Sequence, residues 1–63
     1  MNEEEFNNCT WRRRAELLAK VLLPKDEYNE DSYLSFYFAF CDMQKAYEWS
    51  DLEPQVQEKL DGI

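Results

Sequence analysis

The stretch YLSFYFAFCDM, residues 33–43, carries five aromatic rings in eleven positions. How those rings are buried constrains the fold more than any other feature. Leu34, Phe36, Phe38 and Phe40 alternate as they would in a strand, and phenylalanine and tyrosine suit strands. Yet the intervening Tyr33, Tyr37 and Cys41 leave neither face polar, and the run passes without a turn signal into DMQKAYEW. No second segment reads as a strand, and a lone strand would leave its backbone groups unpaired. The stretch is therefore expected to be helical, over residues 32–49.

At 100° per residue, Tyr33, Phe36, Phe40, Met43 and Tyr47 fall on one narrow stripe. Leu34, Phe38, Cys41 and Trp49 fall on a second stripe nearly opposite, interrupted by Lys45. Two apolar stripes need two apolar neighbours, because each large side chain left in water forgoes about 1.5–3 kcal/mol. A preceding helix offers one stripe: Trp11, Ala15, Leu18 and Leu22, widened by Leu17 and Val21. It covers one side of the aromatic helix only. A second copy of the chain, packed through the same patch on each subunit, is expected to cover the other. The interface core would be Leu34, Phe38 and Cys41, or else Phe36, Phe40 and Met43. A compact three-helix bundle of one chain is the competing arrangement.

The remaining segments read as helices too, since the chain has one glycine and two prolines. Asn2 can cap a helix whose first turn carries Glu3, Glu4 and Glu5, carboxylates that favour its positive end. Pro24 disfavours helix at the residue before it, so this helix is expected over residues 3–22. Residues 24–31 form a polar connection, and Asp31 and Ser32 are capping residues for the aromatic helix. SDLE, residues 50–53, matches a capping box. Pro54 suits a first helical turn, and Leu52, Val56 and Leu60 repeat at i, i+4, giving a short helix over 51–60. The expected fold is all-α: one small domain, a helical hairpin with a short C-terminal helix, assembled as a homodimeric bundle. A domain of 63 residues buries only about 60% of its unfolded surface, and a partner subunit is one of the usual supplements.

Much chemistry is missing. The chain has no histidine and two cysteines, Cys9 and Cys41, too few for a four-ligand zinc site. No glycine-rich loop could cradle phosphate, no base stands ready to activate a thiol, and a chain of this size leaves little room for an enclosed pocket. No metal, cofactor or enzymatic activity is expected. MNEEEFNN lacks the basic and apolar regions of a signal peptide, and no apolar run approaches the ~20 residues of a membrane span. A soluble cytoplasmic protein with reduced thiols is expected.

The formal net charge of −7 disfavours nucleic-acid binding, which rests on cations neutralising phosphates. The tripeptide RRR is the exception. On a helix Arg12, Arg13 and Arg14 point in different directions, and Glu16 is placed to pair with Arg12 and Lys20. Arg14 falls between Val21 and Leu18, where it could snorkel or meet a carboxylate. Three functional readings follow. The first is a regulator that binds another protein, with Trp11, Arg14, Phe38 and Trp49 as anchors, since aromatics and arginine dominate interfaces. The second is directed at nucleic acid, as an acidic DNA mimic or through weak contact by the three arginines. The third is an accessory subunit of a larger assembly.

From MNEEEFNNCTWRRRAELLAKVLLP through SYLSFYFAFCDMQKAYEW to its end, the chain resembles the small early proteins encoded between the exonuclease and excisionase genes of lambda-type bacteriophages. The resemblance lies in length and overall sequence, not in a diagnostic motif. It implies an early phage protein acting in the cytoplasm of an infected bacterium. Proteins of that region are associated with the decision between lysis and lysogeny, and with disturbance of host replication or cell-cycle timing. It assigns no functional residues.

Overall fold

Thr10 divides the N-terminal helical stretch in two. In the computed structural model, which describes residues 1–63, helix α1 spans Glu3–Asn8 and α2 spans Trp11–Leu22. Asn2 caps α1, its Oδ1 accepting from the Glu5 amide at 2.9 Å. Cys9 and Thr10 are extended, and the Thr10 hydroxyl accepts from the Arg13 amide at 3.1 Å, starting a new helix. The expected continuous helix over 3–22 is thereby corrected. A threonine immediately before an apolar-periodic stretch is a start signal. Here it wins because the bend brings Phe6 of α1 into the core.

Helix α2 is the centre of the fold and packs against both α3 (Tyr33–Met43) and α4 (Pro54–Asp61). Its buried residues, Arg14, Ala15, Leu17, Leu18 and Ala19, span about half its circumference. That arc is wider than the expected stripe, because neighbours flank the helix on more than one side. The ends of the stripe, Trp11 and Leu22, are exposed.

The connection between α2 and α3 is held by its own side chains. Asn29 Oδ1 accepts from the Asp31 amide at 2.9 Å, and Ser32 Oγ accepts from the Asn29 amide at 2.7 Å. The Ser32 hydroxyl also donates to the Glu27 carbonyl at 3.2 Å. Ser32 precedes α3 but makes no side-chain capping bond to it, because its hydroxyl is engaged by the loop.

Helix α3 stops at Met43, six residues short of the expected end at 49. Gln44 adopts the left-handed conformation at φ 53°, and the Lys45 amide reaches back to the Phe40 carbonyl at 3.1 Å. This is a Schellman-type ending without its usual glycine. The turn returns Ala46 and Tyr47 to the core, with Tyr47 edge-on to Phe40 at 5.3 Å between ring centroids. A helix continued through 49 would have carried them away. The left-handed conformation costs a non-glycine residue about 1–2 kcal/mol. Gln44→Gly is accordingly expected to stabilise the fold by about 1 kcal/mol, raising Tm by about 4–8 °C in a thermal melt. A lowered Tm would contradict this account of the turn.

Trp49–Asp51 forms a single 3-10 turn against α1. The predicted capping box of Ser50 and Glu53 does not form; instead the Glu48 amide donates to Asp51 Oδ2 at 3.1 Å. Helix α4 begins at Pro54 rather than at 51. Gln57 Nε2 donates to the carbonyls of Trp49 and Leu52 at 2.9 and 3.0 Å, fastening the 3-10 turn to α4. The architecture is all-helical, around a core of Phe6, Ala15, Leu17, Leu18, Phe40, Ala46 and Leu60.

Candidate interaction surface

The two stripes of the aromatic helix have separate fates. Phe40 is fully buried, and Tyr33, Phe36 and Tyr37 are half-buried against the core. On the opposite side Phe38 is 58% exposed and Cys41 is exposed. Leu34 is half-buried but lies outside the core. The sequence left two patches open as an outward face, and Leu34, Phe38 and Cys41 are the one directed away from the chain's own core. Phe36, Phe40 and Met43 do not form an outward patch, because Phe40 is fully buried and Phe36 is half-buried against the core, in the wall of a cleft. Only Met43 of that set is exposed, at 54%, since the helix ends there. Its Sδ accepts from the Tyr47 hydroxyl at 3.9 Å.

Phe38 is placed by its backbone and by a neighbour. It lies mid-helix, and its ring stands edge-on to Tyr37 with centroids 6.2 Å apart. No cation lies on α3 itself, and Asp42 borders the patch.

Arg14 and Trp49, two of the expected anchors, are consumed inside the chain. Arg14 is only 8% exposed and meets no carboxylate. Its Nε donates to the Phe6 carbonyl at 3.1 Å and its Nη1 to the Tyr47 carbonyl at 2.8 Å. Nη2 donates to the Asn7 carbonyl. The guanidinium also lies 5.6 Å from the centroid of the Phe6 ring. Two of its three acceptors are carbonyls at the C-terminal end of α1, where the backbone dipoles favour a cation. One planar fork thus clamps α1 and the 44–48 segment onto α2. Trp49 is half-buried off the helix, its ring edge-on to Phe6 at 5.9 Å. The Trp49 amide donates to Asn7 Oδ1 at 2.7 Å. Trp11 alone of the non-α3 anchors stays exposed, at the start of α2.

The other two arginines share one carboxylate. Arg12 and Arg13 each approach Glu16 at 3.3 Å, and Arg12 also lies 5.3 Å from the Tyr33 ring centroid. The expected Glu16–Lys20 pair is replaced by the Arg13 pair. Such exposed pairs contribute a few tenths of a kcal/mol each. The arginine run therefore presents two partly neutralised cations, not three.

A cleft absent from the sequence reading lies on the other side of α3. It has a volume of about 290 Å³, opens to solvent, and is walled by Leu18, Leu22, Phe36, Tyr47, Leu52 and Val56. Its polar lining is Asp51 and Glu53. It exists because α4 and the returning 44–53 segment meet α2 without filling the space beside Phe36. The i, i+4 repeat of Leu52 and Val56 was legible; their placement opposite Leu18 and Leu22 was not.

Neither cysteine is in a disulfide. Cys9 donates its thiol to the Glu5 carbonyl at 2.9 Å. No cluster of three or more cysteine or carboxylate side chains is placed to hold a metal ion. No helix is long and apolar enough to cross a membrane.

Fold and surface together define a small all-helical protein with an apolar patch on one side of α3 and an acid-edged cleft on the other. Comparison with family models, with curated proteins and with solved structures gives no match.

Proposed function

We propose that the protein is a non-enzymatic regulator that acts by binding other proteins, and that it works as a homodimer joined through the outer face of α3. The observation that carries this reading is the exposure of Phe38, 58% in the middle of a helix whose other side forms the core, with Leu34 and Cys41 beside it. An aromatic side chain left in water in this way forgoes about 1.5–3 kcal/mol that a partner surface would recover. A two-fold arrangement would set the same patch of each copy together. The resemblance to early proteins of the exonuclease-to-excisionase region of lambda-type bacteriophages supplies the setting: a host bacterial cytoplasm, and a role in the lysis–lysogeny decision or in host replication. Direct contact with DNA through the arginine run has less support, because Arg14 is withdrawn from the surface and Glu16 offsets its two neighbours.

Phe38→Glu tests the assembly. The unmodified protein is expected to sediment as a dimer at micromolar concentration. The variant is expected to sediment as a folded monomer with unchanged helicity. A monomeric unmodified protein with native helicity would overturn the dimer. Crosslinking and mass spectrometry in early infection is the route to the heterologous partner.

A further inference from the structure

We infer that the cleft between α2, α3 and α4 is a second binding site, and that its ligand is a basic amphipathic helix of another protein. The cleft is lined by apolar side chains of three elements, Leu18 and Leu22 of α2, Phe36 of α3 and Val56 of α4. Both polar groups on its edge, Asp51 and Glu53, are carboxylates. Asp51 is partly engaged, lying 3.8 Å from Lys45 Nζ. Glu53 makes no ion pair and no side-chain hydrogen bond to α4.

Shape and charge together select the occupant. An open apolar cleft of about 290 Å³ accepts one or two large side chains from a helix laid across it, the helix-in-groove mode. Carboxylates at the edge favour lysine or arginine beside those anchors, and a protein of net charge −7 draws a basic segment toward it. The same carboxylates repel nucleic-acid phosphates and anionic lipid headgroups. A second copy of this chain does not supply the match. Its α3 outer face carries no cation, and the basic residues of α2 flank an apolar face already buried in its own core. The cleft and the Phe38 patch lie on different sides of α3, so this site does not depend on self-association.

The test uses the whole chain and a labelled synthetic helix of about 16 residues, with leucines at i, i+3, i+4 and i+7 and lysines elsewhere. A counterpart carries glutamates in place of the lysines. The leucine–lysine peptide is expected to bind with an affinity that falls as salt rises, and to shift the backbone amide resonances of Leu22, Phe36, Leu52 and Val56. The glutamate peptide is expected not to bind. Glu53→Lys should weaken binding about fivefold, the scale of one exposed charge reversed. Glu30→Lys, the same charge change in the α2–α3 connection, should leave it within about twofold. Any of four results would overturn the inference: no binding, equal binding of both peptides, shifts confined to Leu34, Phe38 and Cys41, or equal effects of the two lysine variants. Shifts of the cleft amides on raising protein concentration without peptide would assign the cleft to a second copy instead. Sedimentation reads the α3 dimer separately, so either site can fail alone.

Discussion

Arg14→Met is expected to remove a large part of the protein's stability and to lower its urea midpoint. The substitution keeps an unbranched apolar stem of similar length and removes all three donors. The carbonyls of Asn7 and Tyr47 then lose their protein donor, while that of Phe6 retains only the Cys9 amide at 3.2 Å. A hydrogen bond to a charged group is worth about 1.5–3 kcal/mol, and the part-buried carbonyls of Asn7 and Tyr47 recover some of that from water. These contributions are not additive, but a total loss of about 3–5 kcal/mol is reasonable. A chain of 63 residues has about 3–9 kcal/mol to lose. Arg14→Lys should fall between, since an ammonium reaches one or two of the carbonyls but lacks the planar fork. Urea titration followed by circular dichroism measures both. If Arg14 were instead an interface anchor, Arg14→Met would change sedimentation and leave the urea midpoint of the monomer in place.

Phe40→Ala should be comparably damaging and Phe38→Ala nearly silent in the monomer, although both remove a ring from the same helix. Phe40 is fully buried, stands edge-on to Tyr47 and lies in the same core as Leu17 and Leu18 of α2. Truncating such a ring costs about 3–5 kcal/mol, because the space left behind closes only in part. Phe40→Leu, which keeps most of the volume, should retain a cooperative transition at a lower midpoint. Phe38 faces water, so its loss from a monomer should change the midpoint by no more than about 0.5 kcal/mol. The contrast is sharpest at protein concentrations low enough to dissociate a dimer. There, a large loss of stability in Phe38→Ala would mean that this ring is part of the fold itself.

With only nine residues buried, each buried side chain carries a large share of the stability. This is the condition in which a small domain depends on polar brackets such as Arg14 and Gln57. Both act on backbone carbonyls at a helix end or in irregular segments, where hydrophobic packing alone cannot satisfy the hydrogen bonds.

Local chemistry by itself determined the helical class. One glycine, two prolines and an aromatic run with no strand to pair with leave little else, and Asn2 and Pro54 mark helix starts through their own side chains. The two-stripe pattern of residues 33–43 was equally legible, because helical periodicity depends only on spacing. What the sequence could not decide was which stripe turns inward, since Phe36 and Phe40 are chemically equivalent to Phe38. Tertiary packing made that choice, by placing Phe40 on α2 with Tyr47 folded back over it. It also overrode local preference at the helix ends. Residues 44–48 are compatible with helix, but the left-handed turn at Gln44 returns Ala46 and Tyr47 to the core and delivers the Tyr47 carbonyl to Arg14. The role of Arg14 follows from the same cause. An arginine amid a helix's apolar arc reads as a snorkelling or ion-pairing side chain. Only the break at Thr10, which brings the Phe6 carbonyl of α1 within 3.1 Å of its Nε and the Asn7 carbonyl to its Nη2, makes it a buried bracket, because those acceptors are backbone groups whose positions exist only once the chain has folded.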